Sequence, residues 1–257
     1  MNLSPFSFFN VFSVNPPICV FSPSRRVRDN TTKHTLENIK IVPECVINIV
    51  NYDMVQQVSL SSVEYPLGVN EFIKSGLTEL SSQMVKPPRV AESPVQLECV
   101  VREIITLGET PGAGNLVIAE IKLIHVHEDI LKEDGTIDQE KIDLVARLGD
   151  DWYARITADN LFKVAKPVTT IGIGFDAIPH GIRNSKVLTG NNLGQLGNVE
   201  TLPTDEDIDA YAQTDEMKEL FDATIGDSQT RELQLHLKAK HLLDNGLVME
   251  AWMVLLM

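Results

Sequence analysis

Apolar positions in the first two thirds of the chain fall in short runs, alternating or continuous, separated by turn residues. A period near two predicts strands, here over residues 18–22, 45–50, 95–106 and 116–127. In the last of these Leu116, Ile118, Ile121 and Leu123 alternate imperfectly, which predicts a long strand with a bulge near Ala119 and Glu120. The intervening LGETPGAGN (107–115) is a Gly/Pro turn, so the two longest strands are expected to pair antiparallel as a hairpin. Short helices are predicted over 32–39, 53–60, 70–75 with Gly76 as its stop, and 139–147 with Gly149 as its stop.

Beyond Pro167 the pattern changes. Residues 169–203 are rich in Gly and Asn without a sustained period, and read as a long ordered loop that wraps another surface. Thr204 with Asp207 forms a capping box ahead of a helix through residue 223, and Ser228 is read as the cap of a further helix ended by Gly246. The tail LVMEAWMVLLM is apolar enough to need a partner surface. The fold class expected is mainly β with α (α+β), with a β-rich domain over 1–168. A strap and helical appendage over 169–257 is expected to dock on that domain or across a dimer.

Length and composition bound what this arrangement can do. The chain has 257 residues, 43% of them hydrophobic, enough for a packed core and too many for wholesale disorder. A formal net charge of −14 opposes general binding to nucleic acid or an anionic membrane. No apolar run reaches the roughly 18 residues that a membrane helix needs. The first residues lack the basic start of a secretory signal, so the cytoplasm is the expected compartment. Cys19, Cys45 and Cys99 are odd in number, far apart and set in strand-like runs. They read as buried thiols rather than a disulfide set or a metal clip.

The chemistry concentrates between residues 21 and 38, FSPSRRVRDNTTKHTLEN, where Arg25, Arg26, Arg28 and Lys33 gather within nine positions of an otherwise acidic chain. Ser22, Ser24, Thr31, Thr32 and Thr35 surround them, and the run enters the N-terminus of a short helix. Free backbone N–H groups, hydroxyls and guanidinium groups together suit a phosphate monoester, and a solvated basic loop is the alternative. Just upstream, NLSPFSFFN (2–10) could border a flat heteroaromatic ring or serve only as a buried edge strand. His125 and His127, two apart on a strand, lack a third ligand at defined spacing and read as surface residues at a strand end, so no metal is predicted. The run GIGFDA lacks the third glycine of a dinucleotide fingerprint, and HEDILKEDGTIDQEK lacks the ligand spacing of a calcium loop.

The blocks NLSPFSFFN, NPP, VFSPSRR and KHTLENI, followed by VNEF, GLT, PPRVAESPVQLECVV, GNLVIAEI and ARLGDDWYARI, resemble in order and spacing the flavin reductase-like family of FMN-binding split-barrel proteins. The resemblance covers residues 1–168. It implies an antiparallel Greek-key split barrel, usually of six strands and usually a homodimer, with FMN as cofactor. Ser4, Pro5, Phe6, Ser7, Phe8, Phe9 and Asn10 would border the ring and ribityl chain. Ser22, Ser24, Arg25, Arg26, Lys33, His34 and Thr35 would form the phosphate loop, His34 replacing the family's usual Asp. The family's first barrel strand has no counterpart here, and truncation is the expected reason. Where some reductases of the family carry Gly-Asp-His, this chain has Gly112, Ala113, Gly114 and Asn115. The activity implied is hydride transfer from NADH or NADPH through FMN to free flavin or a partner monooxygenase. A flavoredoxin-like FMN electron carrier is the alternative.

Overall fold

The computed structural model describes residues 2–257. It opens with a tight hairpin of β1 (Phe9–Val14) and β2 (Pro17–Phe21), whose aromatic and β-branched residues suit a pleated surface. Helix α1 (His34–Ile41) turns Leu36 and Ile39 inward and leads into β3 (Glu44–Asn48). Next come α2 (Val55–Leu60) and α3 (Glu71–Ser75). The Asn70 side chain caps α3 by accepting from Phe72 N, and Gly76 ends it in the left-handed conformation at φ 69°. The short pair β4 (Glu79–Leu80) and β5 (Arg89–Val90) precedes the long strands β6 (Val95–Thr106) and β7 (Asn115–Val126). A small ribbon of β8 (Val145–Arg147) and β9 (Tyr153–Arg155) follows. The main sheet is five-stranded and antiparallel, in the order β1-β2-β7-β6-β3. The chain divides into two compact units, Met1–Phe162 and Lys163–Met257, and this sheet belongs to the first.

The core of the first unit lies on one face of the sheet, with Cys19, Phe21, Leu36, Ile39, Leu97, Cys99, Val117, Ala119 and Ile121 buried together. The three cysteines, distant in sequence, are all free and buried, with the Sγ atoms of Cys19 and Cys99 3.9 Å apart and Cys45 opposite Cys99 in the β3–β6 register. For Cys19 the contact with Cys99, followed by burial, pushes the thiol well above its ordinary range. Contact with Cys19 favours the Cys99 thiolate, but contact with Cys45 and burial outweigh it. Both thiols therefore stay protonated and act as small core side chains.

Two irregularities break the β6–β7 ladder. Lys122 is the extra residue on β7, between the Cys99–Ile121 and Glu98–Leu123 pairs, and Arg102 is the extra residue on β6, opposite Ile118 and Ala119. The bulge expected near Ala119 and Glu120 is thus displaced along β7 and accompanied by one on the partner strand. An extra residue inverts the alternation beyond it. On β6 the core positions pass from Val101 to Ile104. On β7 Ile121 faces the core, whereas His125 lies on the opposite face beside Glu98.

That opposite face of β6 is not exposed. Gln96 and Glu98 are 1% and 0% accessible, because the segment between β4 and β5 folds over them. The Glu98 carboxylate accepts backbone N–H bonds from Gln83, Met84 and Val85, and lies 2.6 Å from His125 Nε2. His125 and His127 are half-buried and partnered, His127 by Gln96, rather than lying free at a strand end as expected.

The helix expected over 139–147 is absent. The Asp138 carboxylate accepts from the backbone of Glu140 and Lys141 to start one turn, but Asp143 stops it with φ 50° while its own carboxylate grips Arg155 through two 2.8 Å bonds. The chain then extends into β8.

The second unit holds α4 (His180–Arg183), α5 (Gly190–Gly197), α6 (Asp205–Ala212), α7 (Asp215–Ala223), α8 (Ser228–Asp244) and α9 (Val248–Leu255). Two corrections to the expected loop over 169–203 are the helices α4 and α5. Helix α5 is held by a Thr189–Asn192 capping box and by burial of Leu193 and Leu196. Asn192 is buried and bonded to Asp244. The Thr204–Asp207 box forms as expected, but the helix it starts stops at Ala212 and a second begins at Asp215. Asp227, not Ser228, caps α8 by accepting from Thr230 N. The apolar tail finds its cover within its own unit: Trp252 is fully buried and donates to the Leu196 carbonyl at 3.1 Å. Gly172 lets the strap pass the end of α5, since a Cβ there would meet the Gly197 carbonyl at 2.5 Å. Among the described residues no helix is long and apolar enough to cross a membrane.

Candidate functional site

Between β2 and α1 the chain folds back on itself. Arg26 N–H donates to the Thr31 carbonyl, Asn30 N–H donates to the Arg26 carbonyl, and Asn30 itself takes a left-handed φ of 58°. This closed loop sends its arginines in different directions. Arg25 braces the loop, with Nε on the Asn30 amide oxygen at 2.7 Å and Nη2 on the Asn30 carbonyl at 2.6 Å. Arg26 is fixed by Nη1 on Thr31 Oγ1 and the Thr32 carbonyl, and only 15% of its side chain is exposed. Arg28 points outward, 77% exposed.

Arg26 meets Lys33, His34 and Thr35 around a concavity of about 50 Å³, which Ser4 and Glu64 also line. Helix α1 enters here with Lys33 as its N-cap and no side-chain cap bond. Among the described residues the His34 and Thr35 N–H groups have no acceptor, so the positive end of the helix faces this space. Lys33 makes no ion pair among the described residues. Its Nζ stands 5.3 Å from the centroid of the Phe6 ring. Burial, and then the charge of Arg26, push its ammonium below the ordinary lysine range. Two cations beside an uncapped helix start are the donor set that an anion would require. Thr35 Oγ is bonded to Asn2 Oδ1 at 2.7 Å, which ties the first residues to α1.

Ser4, His34 and Thr35 also line a second, larger cavity of about 1210 Å³ in the first unit. Pro5, Phe6, Ser7 and Phe9 form one wall, and β3, α3 and the apolar residues Ile39, Val42, Met54 and Leu77 form others. This space exceeds the usual range of small-molecule pockets, about 300–1,000 Å³.

The remaining expected site residues are placed elsewhere. Phe8 is 67% exposed on the outer face, with its carbonyl accepting from Ser22 N–H. Asn10 caps its neighbour, accepting from Val11 N–H at 2.8 Å. Ser22 packs against Gly114, and neither Ser22, Ser24 nor Arg25 lines the concavity or the cavity. Residues not anticipated from sequence come from the loop after α2: Ser61, Ser62, Glu64 and Tyr65 complete the concavity. Glu64 receives Arg26 Nε at 3.1 Å and Arg28 Nη2 at 2.5 Å. Nothing in its local sequence marks it, because its role depends on contacts 36 and more residues away.

Comparison with known proteins bears on the family and the fold. The profile of the flavin reductase like domain matches residues 2–143. An uncharacterized protein of Aquifex aeolicus is 35% identical over 164 residues, covering 64% of this chain and 81% of that protein. Among solved structures, nitrilotriacetate monooxygenase component B from Bacillus cereus superposes with a TM-score of 0.58 at 28% identity, over 63% of this chain and 79% of that one. A split-barrel-domain protein of Shewanella frigidimarina, assigned as a flavin reductase, gives 0.55 at 30% identity, over 64% and 78%. With more than half of its length matched by the profile and its main sheet shared with these structures, the chain belongs to the flavin reductase-like domain family.

Proposed function

We propose that the protein binds FMN and works as a flavin-dependent oxidoreductase, taking hydride from NADH or NADPH and passing electrons to free flavin or to a partner monooxygenase. The observation that carries this reading is the half-buried Lys33, without a carboxylate partner among the described residues, beside Arg26. Both line a concavity that shares Ser4, His34 and Thr35 with the large apolar cavity. The residues fit a phosphorylated ring ligand. Arg26, Lys33, Ser4, Thr35 and the open N–H groups of α1 would hold the phosphate. Pro5, Phe6, Ser7 and Phe9 would border the ring. The flavin would supply the hydride-accepting chemistry, so the chain's task is to bind, orient and shield it.

Membership in a family that includes a monooxygenase component B among its structural relatives supports an acceptor of that class. We also take the protein to act in the cytoplasm. We take it to be a homodimer, since Phe8 and, on β1, Phe12 and Val14 are 67%, 69% and 89% exposed, apolar surface that such a pairing would cover. Two measurements test the reading. Protein titrated with FMN should retain it through gel filtration with a perturbed flavin spectrum. Anaerobic addition of NADH or NADPH should then bleach that spectrum at a catalytic rate. Bleaching by dithionite alone would favour an electron carrier, and failure to retain FMN would reject the proposal.

A further inference from the structure

Glu64 sits on the guanidinium that a phosphate would use. Arg26 Nη1 is committed to Thr31 and Thr32, which leaves the Nε–Nη2 edge as its fork for a bidentate anion. Glu64 Oε1 lies 3.1 Å from Nε, whereas Nη2 has no hydrogen-bond partner among the described residues. The carboxylate therefore covers half of that fork, inside the same concavity that Lys33 and Thr35 line. Its other oxygen is held by Arg28 Nη2 at 2.5 Å, and Arg28 is far more exposed than Arg26 and lies outside the lining. Glu64 thus has two cationic partners, one in the site and one at its rim.

We infer that Glu64 is a built-in competitor that sets how tightly this site grips a phosphate monoester, yielding Arg26 to the ligand while Arg28 retains its charge at the rim. The inference rests on the proposed phosphate site and deepens it. The physical reason is charge balance. Arg26 and Lys33 supply two positive charges to the lining, while Glu64 and Glu71 supply two negative ones. Glu71 is committed to the first residues, accepting from Leu3 N–H at 3.3 Å and Asn2 Nδ2 at 3.5 Å. Only Glu64, 42% exposed on a surface loop, is free to leave the guanidinium. A dianionic phosphate offers more charge and more acceptors than a carboxylate and wins the exchange, but part of its binding energy offsets the lost Arg26–Glu64 contact.

The test compares FMN with riboflavin, which has the ring and ribityl chain but no phosphate, on the full-length protein by fluorescence titration. The ratio of the two dissociation constants reports the phosphate contact alone. Glu64→Gln should raise the preference for FMN about tenfold, the scale of one charge-assisted contact in a half-exposed setting, and leave riboflavin binding unchanged. Glu64→Ala should act in the same direction, which separates loss of charge from any effect of the amide. Arg26→Ala serves as the control on the underlying site. If Arg26→Ala leaves the ratio unchanged, the phosphate site itself is misassigned. If Arg26→Ala lowers the ratio while both Glu64 variants leave it unchanged or lower it, the competitor role is overturned and the phosphate site stands.

Discussion

The Glu98 carboxylate lies 2.6 Å from His125 Nε2 beneath the segment that joins β4 to β5, with three backbone N–H groups converging on the same two oxygens. Burial pushes this carboxyl up, but the amides of Gln83 and Met84 and the imidazole of His125 outweigh it, and the group stays below the ordinary glutamate range. The segment it holds contributes Lys86, Pro87 and Pro88 to the wall of the large cavity, so a buried polar contact fixes part of that wall.

Replacing Glu98 by Ala should therefore destabilise the first unit by about 3–5 kcal/mol, since it leaves buried donors without an acceptor. A carboxyl whose folded-state pKa is depressed stabilises above its unfolded value and loses that contribution as protons bind. The wild type should accordingly lose stability as the pH falls below about 4.3, the ordinary glutamate value. The E98Q variant, already weaker, should lose less over the same range. Urea titrations of both proteins between pH 3 and 7 check this, and parallel pH profiles would show that Glu98 contributes nothing to acid sensitivity.

Removing both site cations, Arg26→Ala with Lys33→Ala, should weaken FMN binding by about 2–4 kcal/mol, the scale of two charge-assisted contacts. Riboflavin affinity should change little. Isothermal titration with both ligands measures the difference, and equal losses for the two would place the effect on the ring rather than the phosphate.

Lys33 also predicts a pH dependence. Its ammonium is the form that attracts a phosphate, and burial together with Arg26 lowers the pH at which that proton leaves. FMN affinity should stay level at neutral pH and fall as the pH rises, beginning below the ordinary lysine value of about 10.4. Lys33→Arg keeps its charge throughout and should abolish the alkaline fall. Affinities measured from pH 7 to 10.5 on both proteins decide it.

The chain's two tryptophans report on different units. Trp152 is 72% exposed, while Trp252 is fully buried with its indole N–H on the Leu196 carbonyl. Acrylamide should quench Trp152 readily and Trp252 little, and Trp252→Ala should cost the second unit about 3–5 kcal/mol. Quenching of the Trp152→Phe and Trp252→Phe proteins separates the two signals. Equal accessibility would contradict the buried position of Trp252.

What could be read in the sequence was whatever depended on neighbours in sequence. The turn of the 95–126 hairpin, the Gly76 stop of α3 and the Thr204–Asp207 cap are all set by residues within a few positions of one another. The failures share the opposite property. Helix α5 contains three glycines in eight residues, a composition that disfavours helix, and forms because its cap and two buried leucines outweigh that cost. Glu98 alternates with apolar neighbours as a solvent-facing residue would, and only the segment folded over it makes it buried. In the site, Lys33 and Thr35 announce themselves by composition, whereas Glu64 joins them through a loop whose position no local pattern reveals.

The extra residue at Lys122 has a bearing on how this strand is aligned and engineered. Everything past that point is one step out of phase with a plain alternation: deleting Lys122 would remove the bulge and leave His125 and Val126 on the faces they now hold, whereas straightening the strand with Lys122 retained would swing His125 toward the apolar interior and turn Val126 away from it. Grafts or insertions into β7 are therefore best kept wholly on one side of Lys122, where the in–out frame is unbroken.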